Sequence, residues 1–150
     1  MLEPGQPAPT FELPNQDGET VSLADFDSTV VVYFYPRADT PGCTTEACGF
    51  RDSWDEFDAR GVPVLGISDD PVSDLVKFRD KHDLPFDLLS DESGEVASAY
   101  DSYGEKNMFG KTFDGVFRNT VVVAPDGTVE AVFEDVSPDG HADELLETLE

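Results

Sequence analysis

The chain has two thiols, Cys43 and Cys48, and both lie in the stretch Tyr35-Pro36-Arg37-Ala38-Asp39-Thr40-Pro41-Gly42-Cys43-Thr44-Thr45-Glu46-Ala47-Cys48. The stretch leaves a hydrophobic run, passes through a turn rich in Pro and Gly, and opens a helix. Thr40 suits the N-cap and Pro41 suits N1, where a proline loses no intrahelical hydrogen bond. Cys43 then falls at N3, where its amide is among those that an N-cap hydroxyl can satisfy. A cysteine in a first helical turn meets free N–H groups and the positive end of the helix dipole. Such placement favours the thiolate, the nucleophilic form of the side chain. A buried, inert packing cysteine is the competing reading.

Five residues along a helix amount to about 500°, so the two thiols point roughly 140° apart, with Cα atoms roughly 8–9 Å from each other. A disulfide needs Cα atoms within about 7 Å and converging Cβ vectors. The wound helix therefore cannot bridge this pair. Either Cys48 is unrelated packing, or the helix must unwind to bring it over. Neither cysteine has zinc-like spacing to His82 or His141, the only histidines, and no metal or other cofactor is expected.

The elements that must position this stretch can be read from periodicity. Phe11–Leu13 and Glu19–Ser22 flank Asp17-Gly18, a hairpin signal, and Ser22–Asp25 suits one helical turn. Val30–Tyr35 is a continuous β-branched and aromatic run, expected of a strand buried on both faces. A helix is expected from about Pro41 to Ala59, with Cys43, Ala47, Phe50, Trp54 and Phe57 spaced 4, 3, 4 and 3 and Gly61 closing it. Val62–Ser68 reads as a second buried strand. Asp70 and Pro71 start a helix from Val72 to His82, with Val72, Leu75, Val76 and Arg79 along one side. Phe86–Leu89 suits a short strand, and Asp91 or Ser93 can cap a short helix over Glu95–Tyr100. Tyr103 to Gly115 reads as a long loop. Asn119–Ala124 and Thr128–Phe133 form a second hairpin about Pro125-Asp126-Gly127, and a last helix covers Ala142 to Leu149. Buried strands followed by crossover helices predict an α/β fold with a mixed central sheet, in one domain spanning residues 1–150.

With 33 acids against 9 bases the net charge is −24 and the pI near 4.1. Nucleic-acid and anionic-membrane partners are disfavoured. All nine bases lie between Arg37 and Arg118. Such acidity suits a protein held in concentrated salt, where the Debye length falls to roughly 3 Å at 1 M and self-repulsion is screened. The alternatives are an ordinary acidic protein or one that docks on a basic partner. The start lacks a signal-peptide pattern, so a cytoplasmic, halophilic setting is expected.

Several motifs together resemble one family: Tyr33-Phe-Tyr-Pro36, Thr40-Pro-Gly-Cys43, Ala47-Cys48, Gly66-Ile-Ser68, Leu89-Ser-Asp91, Gly104-Glu-Lys106, Gly110-Lys111 and Arg118. They are similar to the peroxiredoxins, and most of all to the bacterioferritin-comigratory (PrxQ) branch, from about Pro7 to the C-terminal helix. The resemblance implies a thioredoxin-like fold with an N-terminal β-hairpin extension. It implies a thiol peroxidase in which Cys43 is the peroxidatic and Cys48 the resolving cysteine, with a sulfenic acid and then an intramolecular disulfide between them. Thr40, the Cys43 amide and Arg118 would donate hydrogen bonds to the peroxide as charge develops on its departing oxygen. Arg118 would also hold the thiolate, and Pro36 would shield it from water. The implied partners are a peroxide substrate and thioredoxin or a similar dithiol reductant. The branch is often monomeric, and a monomer is expected here.

Other residues carry weaker readings. Trp54 reads as core, and His82 and His141 as surface residues. Glu46 reads either as a solvated helix residue or, by the resemblance, as the group that orients the arginine. Lys106 and Lys111 resemble family loop positions but read as solvated loop charges. Competing functions are a disulfide oxidoreductase on the same fold, which needs Cys-x-x-Cys, a copper-chaperone-like module, which needs Cys-x-x-x-Cys and a distant His, and a non-enzymatic acidic binding domain.

Overall fold

The computed structural model describes residues 2–108 and 110–149. Its centre is a five-stranded sheet in which β3 (Val30–Phe34) lies between β4 (Val64–Ser68), parallel to it, and β8 (Thr120–Val123), antiparallel. β5 (Asp87–Ser90) runs parallel to β4 at one edge, and β9 (Val129–Phe133) runs antiparallel to β8 at the other. The sheet is therefore mixed, as the alternation of buried strands and hairpins predicts. Every residue of β3 is buried, and alternate side chains enter different layers. Val31, Tyr33 and Tyr35 meet α1 (Pro41–Asp52), α2 (Trp54–Ala59), α3 (Val72–His82) and α5 (His141–Thr148). Val30, Val32 and Phe34 face the N-terminal hairpin, β1 (Glu12–Pro14) and β2 (Thr20–Ser22), together with α4 (Glu95–Ala99). The hairpin is tied to the sheet edge by a bridge between Asn15 and Leu89.

The expected helix over Pro41–Ala59 is two helices. Ser53, with φ −101° and ψ 9°, ends α1 and caps α2. The apolar spacing hides the break because Phe50 and Phe57 still meet on one side, with ring centroids 5.7 Å apart. Trp54, expected in the core, lies only half-buried at the break, against Phe86. On α3 the buried residues are Leu75 and Phe78, with Val72, Val76 and Arg79 half-buried. Asp70 does not cap this helix: Pro71 takes the N-cap position.

The stretch read as a loop is a hairpin of β6 (Tyr103–Met108) and β7 (Lys111–Val116). Among the described residues it pairs only with itself, and Gly104 stands opposite Gly115. Those glycines lower the strand signal, and no apolar face recurs to replace it. Among the described residues no helix is long and apolar enough to cross a membrane, and no group of three or more His, Cys, Asp or Glu side chains is gathered as a metal site would need.

Candidate active site

β3 delivers the chain at Tyr35, and a short loop turns it into α1. Two contacts fix that loop. The Ala38 N–H donates to Asp70 Oδ2 at 2.7 Å, and Ser68 Oγ donates to the same oxygen at 2.8 Å. Asp39, in the left-handed region at φ 60°, accepts from Lys81 Nζ at 3.0 Å and faces His82 Nε2 at 3.4 Å. Lys81 and His82 together hold the Asp39 carboxyl below its usual range. Asp70 is buried and escaped sequence reasoning as a site residue. Its one available signal was position, just past the C-terminal end of a buried strand of an α/β sheet, where ligand sites gather.

Thr40 is the N-cap residue of α1 and Pro41 its N1, as expected. The Thr40 side chain nevertheless makes no capping bond. Its hydroxyl donates instead to the Arg37 carbonyl at 2.9 Å. The expectation that Thr40 satisfies the Cys43 amide is therefore corrected: the hydroxyl bonds the Arg37 carbonyl instead. With its hydrogen directed to Arg37, Oγ1 keeps lone pairs free to accept a hydrogen bond.

Cys43 is buried on the sheet side of α1, beside Tyr33, Tyr35, Ala47 and Phe50. Arg118, just ahead of β8, reaches it with Nη2 3.4 Å from Sγ. The same guanidinium donates through Nη1 to Glu46 Oε1 at 2.9 Å. Gly42 makes this approach possible: a Cβ there would stand 3.1 Å from Arg118 Nη2. The two open readings of Glu46 are thus decided. It is not solvated but buried, and it orients Arg118.

The pair is not symmetrical. Burial pulls Arg118 down, but the charges of Cys43 and Glu46 outweigh it and raise the guanidinium further. For Glu46 burial dominates. Burial pushes its carboxyl up to about 7 against the ion pair with Arg118, and among the described residues its second oxygen, Oε2, has no hydrogen-bond partner. A buried carboxylate needs more than one donor to offset lost hydration.

Cys48 is half-buried, and both cysteines are free thiols on an intact helix. Pro36 lines a cleft of about 410 Å³ whose wall includes Lys106, Phe117 and Arg118. Lys106 is thus not a solvated loop charge: its ammonium stands 5.8 Å over the Phe117 ring. The Lys111 side chain lies outside the described residues. Neither histidine touches the thiols, but the surface reading of His141 is wrong. Its ring is buried between Phe50 and Phe133 and bonds Thr120 Oγ1 at 2.8 Å and Glu144 Oε1 at 3.1 Å. Burial lowers the His141 pKa, against the pull of Glu144. His82 is half-buried.

A buried cysteine at a helix start, an arginine on its sulfur and a second thiol on the same helix suit peroxide reduction. A model described as the AhpC/TSA family matches residues 4–132. The chain belongs to that family. Among its relatives is peroxiredoxin Bcp of Escherichia coli K12, 48% identical over 149 residues, which cover 99% of this chain and 96% of the relative. A solved Xanthomonas campestris bacterioferritin comigratory protein, studied for its alkyl peroxide reduction, superposes with a TM-score of 0.90 at 36% identity, covering 98% of this chain and 97% of that one. Peroxidoxin BcpB of Mycobacterium tuberculosis gives 0.89 at 39% identity, over 99% and 97% of the two chains. The chain is a peroxiredoxin of the bacterioferritin-comigratory branch, with the thioredoxin-like fold of these structures, and so a thiol peroxidase. The dithiol-oxidoreductase and binding-domain readings lose their footing. Peroxide is the substrate class, and thioredoxin-like proteins are the reductant class of the family.

Proposed function

We propose that Cys43 is the peroxidatic and Cys48 the resolving cysteine of this peroxidase. The Cys43 thiolate attacks the terminal oxygen of a hydroperoxide. The O–O bond breaks, sulfur gains the hydroxyl, and the departing oxygen takes up a proton to leave as water or alcohol. The Cys48 thiol then displaces water from the Cys43 sulfenic acid, giving a disulfide that a thioredoxin-like dithiol reduces. The observation that carries this reading is the Arg118 guanidinium, 3.4 Å from Cys43 Sγ and braced by Glu46. A fixed cation there favours the thiolate before attack and the charge shed onto oxygen during it. Thr40 Oγ1 accepts the O–H of the incoming hydroperoxide, and Pro36 closes one side of the cleft without offering an N–H. The working unit is one domain and one copy of the chain, since every one of these groups comes from it.

Counting thiols after one equivalent of hydrogen peroxide tests this. The wild type should lose both, and Cys48→Ser should form the Cys43 sulfenic acid at the wild-type rate yet fail to turn over with thioredoxin. Full multi-turnover activity in Cys48→Ser would remove Cys48 from the resolving role. Further, the net charge of −24 supports a cytoplasm rich in salt. Urea melts at roughly 0.1 M and 2 M potassium chloride should then show a clear gain of stability with salt, and a flat response would end the halophilic reading.

A further inference from the structure

Arg118 can stabilise the charge on a departing oxygen but cannot protonate it, because a guanidinium does not release its proton in proteins. Hydroxide and alkoxides are strongly basic leaving groups, so a positioned acid would lower the barrier. The nearby hydroxyls are unsuited to that role. Thr40 directs its hydrogen to Arg37, and burial pushes the Tyr33 and Tyr35 phenols well above their ordinary range. The carboxyls lining the cleft, such as Glu134 and Asp135, stand at its exposed rim, and Asn119 is not an acid.

Resting on the assignment of Cys43 as nucleophile, we infer that Lys106 is the general acid that protonates the leaving oxygen. Arg118, whose Nη2 stands 3.4 Å from Cys43 Sγ, lines one cleft together with Lys106, and a leaving oxygen that departs along the guanidinium enters that cleft. The Lys106 ammonium stands 5.8 Å over the Phe117 ring, and both residues line that wall. Among the described residues the ammonium has no carboxylate partner. Burial and the neighbouring Arg118 lower the Lys106 pKa, with Cys43 and Asp69 opposing them, so the proton is more readily given than from a solvated lysine. The balance is simple. Sulfur gains the terminal OH, the O–O bond breaks, and the departing alkoxide takes one proton from the ammonium. The products are sulfenic acid, alcohol and a neutral amine. The half-exposed amine then regains its proton from water.

Two peroxides of similar size separate this role from a structural one. Ethyl hydroperoxide expels ethoxide, which needs a proton, whereas peracetic acid expels acetate, a weak base that needs none. Stopped-flow rate constants for sulfenic acid formation would be taken on both substrates for wild type, Lys106→Met and Lys106→Arg. The ratio of the ethyl hydroperoxide to the peracetic acid rate constant should fall about 100-fold in Lys106→Met, within the usual span of general acid catalysis. It should fall comparably in Lys106→Arg, which keeps the charge but cannot release the proton. An unchanged ratio in Lys106→Met, with both rates reduced alike, would overturn the inference in favour of a positioning role. A ratio restored by Lys106→Arg would overturn it in favour of charge alone. A wild type inert to both peroxides would instead refute the assignment of Cys43, and the inference with it.

Discussion

Replacing Glu46 by Gln should make the protein more stable at pH 8 than the wild type, with only a minor part of that gain present at pH 5. The reason is the burial that carries the Glu46 carboxyl from 4.5 up to about 7 against the pull of Arg118. Between those two values the folded chain holds a proton that the unfolded chain has released. Stability therefore falls as pH rises through that window and levels off above it. A displacement of about 2.5 pH units corresponds to roughly 3 kcal/mol at 1.36 kcal/mol per unit. The introduced amide would keep an oxygen for Arg118 Nη1, where Glu46 Oε1 now accepts at 2.9 Å, and would not titrate. Urea melts of the reduced protein at several pH values from about 5 to 8 would give the difference between variant and wild type at each pH. The difference cancels the self-repulsion that the other acids contribute. It should grow to about 3 kcal/mol, equivalent to roughly 6–12 °C in melting temperature for a chain of this size. Two curves that run parallel across that range would refute the reasoning. So would a variant less stable than wild type at the alkaline end, since the ion pair would then outweigh its desolvation.

Gly42→Ala puts a methyl group 3.1 Å from Arg118 Nη2. It should displace the guanidinium by a few tenths of an ångström and slow sulfenic acid formation about 10-fold or more while leaving the melting temperature within a few degrees; a wild-type rate by stopped flow would show that the fit is not tight. Asp70→Ala removes the acceptor of the Ala38 N–H and of Ser68 Oγ, leaving two donors unsatisfied at a cost of about 1–3 kcal/mol each. It should both destabilise the protein and slow the peroxide step, whereas a loss of stability with an unchanged rate would detach Asp70 from the site.

The strands that carry the site were legible because burial on two faces leaves an unbroken apolar run, as in Val30–Tyr35. The helix start was legible because Thr40 and Pro41 are local signals. The break at Ser53 was not, since the apolar repeat runs through it unchanged. The β6–β7 hairpin was hidden by Gly104 and Gly115, which sit where a strand needs side chains. His141 reads as a surface residue in the sequence because its partners, Thr120, Phe50 and Phe133, come from distant positions that only the fold assembles. The contact of Arg118 with Cys43 is of the same kind. Seventy-five residues separate them, and no local pattern links the two, so only resemblance to a family suggested it.

The interruption at Ser53 limits how far a structural change can spread. For Cys48 to reach Cys43, the ladder of α1 must come apart, and a helix of twelve residues is near the length at which isolated helices are marginal. What holds it is mainly the seating of Cys43, Glu46, Ala47 and Phe50 on the sheet. α2 has its own start and its own anchor in the buried Phe57. Melting can stop at the seam between the two helices, where Trp54 provides an optical marker of the boundary. On the proposed roles of Cys43 and Cys48, the part that has to move is then a cartridge with perforated edges, α1 alone, while α2 keeps its own anchor in Phe57.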